Sequence, residues 1–274
     1  MLLEHLLFPK TFLSRKKLRQ AVEAKTIVIT GASFGIGEAL THLLADYPVH
    51  LILVARTAEK LKAIQTSLQN QAATIDIFPC NLTDKTALEA LIVELHQFPK
   101  IDFVVSNAGH SIMRSIHQSL DRLHDFERTM KINYLAPVQL LLGLIPMLKK
   151  SQGHIINISA VNVLLIPAPY WAAYQASKTA FDQWFRAAMP ELNQYKITCS
   201  SIYLPLVRTR MIAPTKAYAK TPAMQPTHVA RLIAKILYTK RRKHQPWWLF
   251  FGILASVIFR PLWEFFVPFF LKRR

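Results

Sequence analysis

Between about residues 25 and 239, short apolar runs rich in β-branched residues alternate with longer stretches whose apolar positions recur at helical spacing. The short runs predict strands at Thr26–Thr30, Val49–Val54, Thr74–Pro79, Ile101–Ser106, His154–Ser159 and Ile197–Tyr203. The longer stretches predict helices over 36–46, 57–70, 84–97, 120–150 and 171–194. Apolar strands that alternate with helices belong to a parallel sheet covered on both faces. Right-handed crossovers then make a doubly wound, three-layer α/β sheet of the Rossmann type, a single domain with six parallel strands. Three parts follow: an amphipathic, basic segment over 1–24, the α/β body over 25–239, and a basic, aromatic-rich tail over 240–274.

Composition agrees with a globular body. Of the 274 residues, 51% are hydrophobic and 18% charged, which excludes a disordered chain and leaves ample material for a core without staples. The two cysteines, Cys80 and Cys199, lie singly in apolar stretches, so neither a disulfide framework nor a metal site is expected. Charge changes the picture more. Lys and Arg number 34 against 16 acidic residues, for a net charge of +18. Eleven of the positive charges sit in three clusters: Arg15, Lys16, Lys17 and Arg19; Lys240 to Lys243; and Lys272 to Arg274. Basic clusters beside apolar terminal segments point to an anionic membrane surface rather than to nucleic acid. The N-terminus lacks the basic start and small-residue cleavage site of a secretory signal.

The tail is read in the same terms. Trp247 to Phe259 is thirteen uncharged residues, short of the roughly twenty that cross a bilayer. Extension to Leu271 brings in Arg260 and Glu264, with Pro261 between them. Trp247, Trp248 and Trp263 suit an interfacial aromatic belt, and basic residues on both flanks favour the cytoplasmic face. An in-plane or re-entrant anchor broken near Pro261 is expected; a tilted span, or a buried contact in a homo-oligomer, is the alternative. Leu2, Leu3, Leu6, Leu7 and Phe8 are candidates for the same surface.

Three of only seven glycines fall in Thr30-Gly31-Ala32-Ser33-Phe34-Gly35-Ile36-Gly37, between the first strand and the first helix of the body. Gly31 would permit the tight turn, Gly35 the close approach of a pyrophosphate and Gly37 close packing of helix on strand, with the helix N-terminus facing the phosphates. The second strand ends in Ala55-Arg56-Thr57, with no carboxylate for a ribose 2′-hydroxyl. Arg56 suits the extra phosphate of NADP(H), which a carboxylate would repel. Farther on, Tyr174 and Lys178 stand four apart on a predicted helix and share a face. An ammonium beside the phenol is expected to lower its pKa and make it a proton donor useful at neutral pH.

Taken in order, Thr30–Gly37, Asn107-Ala108-Gly109, Asn133, Ser159, Tyr174 and Lys178 resemble the motifs of the short-chain dehydrogenase/reductases over residues 25–239. The resemblance implies that Tyr174 protonates a carbonyl oxygen as hydride arrives from the nicotinamide, that Ser159 hydrogen-bonds that oxygen, that Lys178 holds the nicotinamide ribose, and that Asn133 positions a water. It also implies cofactor contacts from Gly31, Ser33 to Gly37, Arg56, Asn81, Leu82, Asn107 to Gly109, Val207 and Thr209. Three departures stand out: Ala160 follows Ser159 where the family often has a second serine, Asn81 replaces an aspartate, and Leu204-Pro205 replaces Pro-Gly before Val207 and Thr209.

A narrower likeness, through Asn107–Ile112, Leu123–Met130 and Ser201–Thr215, is to bacterial long-chain fatty acyl-CoA reductases of this superfamily. It implies NADPH-dependent reduction of an acyl thioester to a fatty aldehyde. Ile112, Met113, Val161, Leu164, Leu165, Leu206 and Met211 are candidate walls of an apolar cleft suited to such a substrate. The alternatives are reduction of a 3-oxo-lipid or hydroxysteroid-type ketone by the same residues, and a membrane-bound scaffold that senses NADP.

Overall fold

The computed structural model describes residues 2–213, 215, 218 and 220–271. The Lys272–Arg274 cluster, the side chains of Leu2 and Leu3, and residue 214 of the 201–215 segment fall outside that description. Seven strands, all parallel, form one sheet: β1 (Thr26–Thr30), β2 (His50–Ala55), β3 (Thr74–Pro79), β4 (Phe103–Ser106), β5 (His154–Ala160), β6 (Thr198–Leu204) and β7 (Lys243–His244). Their order across the sheet is β3-β2-β1-β4-β5-β6-β7. The direction of winding reverses between β1 and β4, and at such a switch point the strand ends leave a crevice for a ligand.

Helices α2 (Arg15–Val22), α3 (Gly35–Leu44), α4 (Ala58–Ser67) and α9 (Pro226–Thr239) bury their apolar stripes against one face of the sheet. Helices α5 (Lys85–Leu95), α7 (Ala136–Ser151) and α8 (Ala172–Gln194) cover the other. Buried side chains from both layers, such as Leu40 and Ile233 on one side and Leu144 and Phe185 on the other, leave the central strands without exposed residues, which is why those strands read as apolar throughout. Cys80 and Cys199 are buried and unbonded.

The structure departs from the sequence-based expectation in four places. The sheet has a seventh strand: Lys243 and His244 pair with Ser201 and Ile202, so the basic cluster assigned to the tail also closes the sheet edge. Leu18 and Val22 of α2 are fully buried in the core, which makes the 1–24 segment part of the body rather than an appendage. Helix α9 is added in the chain before β7. Finally, the helix expected over 120–150 is three pieces: α6 (Leu123–Met130), a π-helical turn at Lys131–Leu135, and α7. The strand ends shift by a residue or two, the ordinary uncertainty of such boundaries.

Three helices lie at the margins of this body: α1 (Leu2–Leu7) at the N-terminus, and α10 (Leu249–Ile258) and α11 (Arg260–Leu271) at the other end. The break between α10 and α11 bends the chain by 82°, next to Pro261.

Candidate active site

The glycine turn leaves β1 with Gly31 at φ +67° and Gly35 at φ +61°, both in the left-handed region that glycine alone enters without strain. A Cβ on Gly37 would lie 2.3 Å from the Gly31 carbonyl oxygen, and one on Gly35 would lie 2.9 Å from Thr209 Cγ2. The turn is therefore drawn tightly over the start of α3, whose capping residue Phe34 provides no side-chain bond to the first helical N–H groups. Asn107 holds the turn from the end of β4: its Nδ2 donates to the carbonyls of Thr30 (2.9 Å) and Gly31 (3.2 Å). In return, Thr30 Oγ1 accepts from the backbone N–H groups of Asn107 and Ala108, both at 3.0 Å. Such a cradle, closed to side chains and lined by helix N–H groups, fits a dinucleotide pyrophosphate.

Cations gather where the turn meets β2. Arg56 is exposed beyond the end of β2, Lys60 lies 5.8 Å from the Phe34 ring centroid, and the Arg210 guanidinium stacks 4.0 Å above the same ring. Asn81 is exposed and its Oδ1 accepts from the Thr83 backbone and hydroxyl, while Leu82 is buried beside it. Across the crevice Val207 is buried and Thr209 meets the Gly35 turn, as noted.

The second half of the site is built on α8 and the π turn. Lys178 is buried, and its Nζ donates to the Ile158 carbonyl at 3.1 Å. A Cβ on Gly109 would meet Asn133 Oδ1 at 3.0 Å and Lys178 Nζ at 3.5 Å, so the absence of a side chain there lets the three residues converge. Asn133 sits in the π turn, whose extra residue rotates the helix locally; its amide binds the His110 backbone and the Ser177 hydroxyl. Burial drives the Lys178 ammonium down to about 8, against the pull of Asp182.

Tyr174 is half-buried between Trp171, which meets its ring edge-on at 5.7 Å, and Tyr218, which stacks on Trp171 at 6.0 Å. Burial, helped by Tyr218, pushes the Tyr174 phenol up to about 12. The lowering by Lys178 expected from the spacing is not seen: burial raises the phenol, and the ammonium is turned onto the Ile158 carbonyl. The phenol thus keeps its proton across the neutral range.

Ser159 departs from the role drawn from the resemblance. It is buried, and its hydroxyl is directed at Asp182 Oδ1, 3.5 Å away, rather than at Tyr174. The next residue, Ala160, has no hydroxyl to take its place. A polar side chain that the sequence reading missed lies two residues beyond: Asn162 Oδ1 is buried with no hydrogen-bond partner. The carbonyl of Asn162 accepts from Gln175 Nε2 at 2.6 Å, which ties this turn to the residue after Tyr174. Trp171, Tyr218, Lys60 and Arg210 were also missed. Only Lys60 carried a signal, four residues from Arg56 at the start of a helix. Of the expected apolar walls, Ile112, Val161, Leu164, Leu165 and Leu206 are partly buried, whereas Met113 and Met211 are exposed.

Sequence comparison decides the family. The profile of the short chain dehydrogenase family matches residues 25–219. The chain belongs to that family. A fatty acyl-CoA reductase of Acinetobacter baylyi is 44% identical over 243 residues, covering 88% of this chain and 81% of that protein. A Mycobacterium tuberculosis protein also named fatty acyl-CoA reductase is 36% identical over 235 residues, covering 85% and 80%. Among solved structures, a short-chain dehydrogenase of Sphingobium yanoikuyae in complex with NADPH superposes with a TM-score of 0.73 at 23% identity, over 80% of this chain and 86% of that one. A metagenomic short-chain oxidoreductase in complex with NADP gives 0.69 at 25% identity, over 82% and 97%. As a short-chain dehydrogenase, the chain is an oxidoreductase; Gly31 packs against Asn107 and Ala108, and Gly109 lets Asn133 and Lys178 converge, one turn of α8 from Tyr174.

Proposed function

We propose that this short-chain dehydrogenase reduces a fatty acyl-CoA to the fatty aldehyde with NADPH. The observation that carries the reading is the intact Tyr174–Lys178 pair on α8, with Lys178 Nζ beside Gly109, in a chain 44% identical to a protein named fatty acyl-CoA reductase. NADPH fits the residues present: the Gly31–Gly37 cradle suits its pyrophosphate, and Arg56 and Lys60 suit its 2′-phosphate, with Arg210 stacked on the Phe34 ring of the same turn. When bound, it supplies the hydride that adds to the thioester carbonyl carbon.

The chain's own residues then manage the oxygen and its proton. Tyr174, protonated at neutral pH, donates to the carbonyl oxygen as negative charge develops there. Lys178 holds the nicotinamide ribose and, once drawn off the Ile158 carbonyl, steadies the phenolate that Tyr174 becomes. Asn162 supplies a second hydrogen bond to the oxygen through its side-chain Nδ2, the place that Ser159 leaves by turning to Asp182. Return of that proton to Tyr174 reforms the carbonyl, the carbon–sulfur bond breaks, and CoA leaves as the thiolate. Aldehyde and free thiol are produced in equal amounts for each NADPH consumed.

The deciding assay follows NADPH oxidation by the detergent-solubilised full-length protein against acyl-CoAs, 3-oxo-lipids and fatty aldehydes, with free thiol measured in parallel. Equimolar thiol release with acyl-CoA is expected. Oxidation of NADPH by 3-oxo-lipids alone would overturn the acyl-CoA reading in favour of a ketone reductase.

A further inference from the structure

Twelve large apolar side chains between Trp247 and Phe269 are exposed, among them Phe250, Phe251, Phe265 and Phe266. A soluble surface rarely leaves so much contiguous apolar area uncovered. At ten and twelve residues, α10 and α11 are roughly 15–18 Å long, about half the hydrocarbon thickness, and the 82° bend between them rules out their acting as one straight span. They are also fastened to the body. Trp247 Nε1 donates to the Leu6 carbonyl at 3.1 Å, so α1, with its exposed Leu6, joins the same platform.

The points of fastening border the cleft. Ser256 Oγ accepts from the Ile166 N–H at 3.3 Å, and Trp263 Nε1 donates to the Pro167 carbonyl at 3.3 Å. A Cβ on Gly252 would already meet Leu165 Cδ2 at 3.3 Å. Residues 165–167 continue directly from the turn that carries Asn162, and Gln175, next to Tyr174, binds the carbonyls of Asn162 and Leu165. On the other side Glu4 of α1 engages Arg208 at 3.4 Å and the Ala223 N–H at 3.3 Å, at the two ends of the segment that supplies Tyr218. One apolar platform thus touches both segments that frame the Tyr174 cleft.

We propose that α1, α10 and α11 form a single platform that docks in the plane of an anionic bilayer and, through its bonds to residues 165–167 and to Arg208 and Ala223, opens the Tyr174 cleft to acyl chains from that bilayer. Charge selects the occupant. Exposed Arg15, Lys16 and Lys17 follow α1, exposed Lys240 to Lys243 precede α10, and Arg260 lies at the bend. Such flanks suit anionic headgroups of the cytoplasmic leaflet and would repel the same flanks of a second copy. The docking stands on the platform alone. Only the delivery of acyl chains rests on the acyl-CoA reading above.

The test uses the full-length protein with vesicles of phosphatidylcholine, with and without one quarter phosphatidylglycerol. The protein is expected to float with the anionic vesicles, with affinity raised about fivefold per engaged basic side chain, and F250E combined with F265E should abolish flotation while NADPH binding persists. Hydrogen exchange at residues 161–168, measured without substrate, is expected to change on vesicle binding in the native protein. In S256A combined with W263F, which removes both bonds to the loop, flotation should persist and that change should vanish. Long-chain turnover on vesicles should fall about fivefold in that variant, the scale of one net hydrogen bond, with short soluble acyl-CoAs unaffected. A full-length protein that stays in solution as a dimer without detergent, or exchange at 161–168 indifferent to vesicles, overturns the proposal. Flotation and exchange as expected without any acyl-CoA reduction would instead sink the acyl-CoA reading and leave the platform standing.

Discussion

Asn133 grips the backbone of His110 from both sides: Oδ1 accepts from its N–H and Nδ2 donates to its carbonyl, each at 2.8 Å. A third bond runs from Nδ2 to Ser177 Oγ at 2.9 Å, three residues along α8 from Tyr174. The side chain of Asn133, the residue that resemblance assigns to positioning a water, thus joins the segment after β4 to the helix that carries Tyr174 and Lys178. Asn133→Ala leaves a buried donor and acceptor unpaired and is expected to cost about 1–3 kcal/mol of stability. Asn133→Asp keeps the acceptor, loses both donations, and should cost stability as well. Denaturant unfolding of the three proteins, with NADPH affinity measured alongside, checks the clamp; unchanged midpoints would remove it.

Tyr174→Phe deletes the phenolic proton donor and keeps the ring that Trp171 packs against. Turnover should fall by ~10²–10⁴ while NADPH binding, followed by nicotinamide fluorescence, stays within a few-fold. Turnover close to that of the native protein would assign the proton to another group.

Arg56 precedes α4 and Lys60 lies in its first turn, over the Phe34 ring. Arg56→Ala should weaken NADPH by about ten- to a hundredfold, the worth of a charge-assisted bond, and leave NADH within a factor of about three. Paired titrations of both cofactors against native, Arg56→Ala and Lys60→Ala proteins give the answer. Equal loss for both cofactors would mean that these cations support the fold rather than read the phosphate.

The alternation of apolar strands and helices made the sheet legible, because strands such as Leu51–Val54, buried on both faces, admit no polar residue. The glycine turn and the Tyr174–Lys178 pair were legible for another reason: φ near +60° and a four-residue helical spacing leave direct marks on sequence. β7 left none, since two residues have no periodicity and owe their strand geometry to Ser201 and Ile202. Nor did the π turn, whose single extra residue differs from an α-helix only in the bonds it makes. The direction of the Ser159 side chain was not legible either, because strand position is visible in sequence and side-chain direction at a strand end is not; the hydroxyl's partner Asp182 is 23 residues away on α8.

That direction can be tested by paired substitution. Ser159→Ala breaks a long bond to Asp182 but leaves Tyr174 and Asn162 in place, so kcat should change by less than about fivefold, the scale of one net hydrogen bond. Asn162→Ala should lower kcat at least as much as a lost oxyanion donor does, about 10²-fold, with KM for NADPH unchanged. The reverse ranking would restore Ser159 to the carbonyl oxygen.

His154 sets a pH limit on the fold. Its Nε2 lies 2.7 Å from Ser200 Oγ, and that hydroxyl donates onward to the Arg241 carbonyl at 2.8 Å, so it accepts from the ring and fixes the proton on Nε2. Nδ1 is buried without a partner, and a proton added there would find no acceptor. Burial, aided by the Lys240 charge, holds the imidazole down to about 3 from its ordinary 6.5. The unfolded chain therefore takes up a proton below pH 6.5 that the folded chain refuses, and linkage makes stability fall as pH drops from 6.5 toward 3, at up to about 1.4 kcal/mol per pH unit. Above pH 6.5 the residue has no such effect. His154→Phe removes this proton uptake and fills the ring's place beside Phe103, so its unfolding midpoint should decline less steeply between pH 6.5 and pH 5 than that of the native protein. His244, held down to about 4, remains in the variant and leaves a residual slope. Parallel curves for the two proteins would show that His154 takes its proton without opening the sheet.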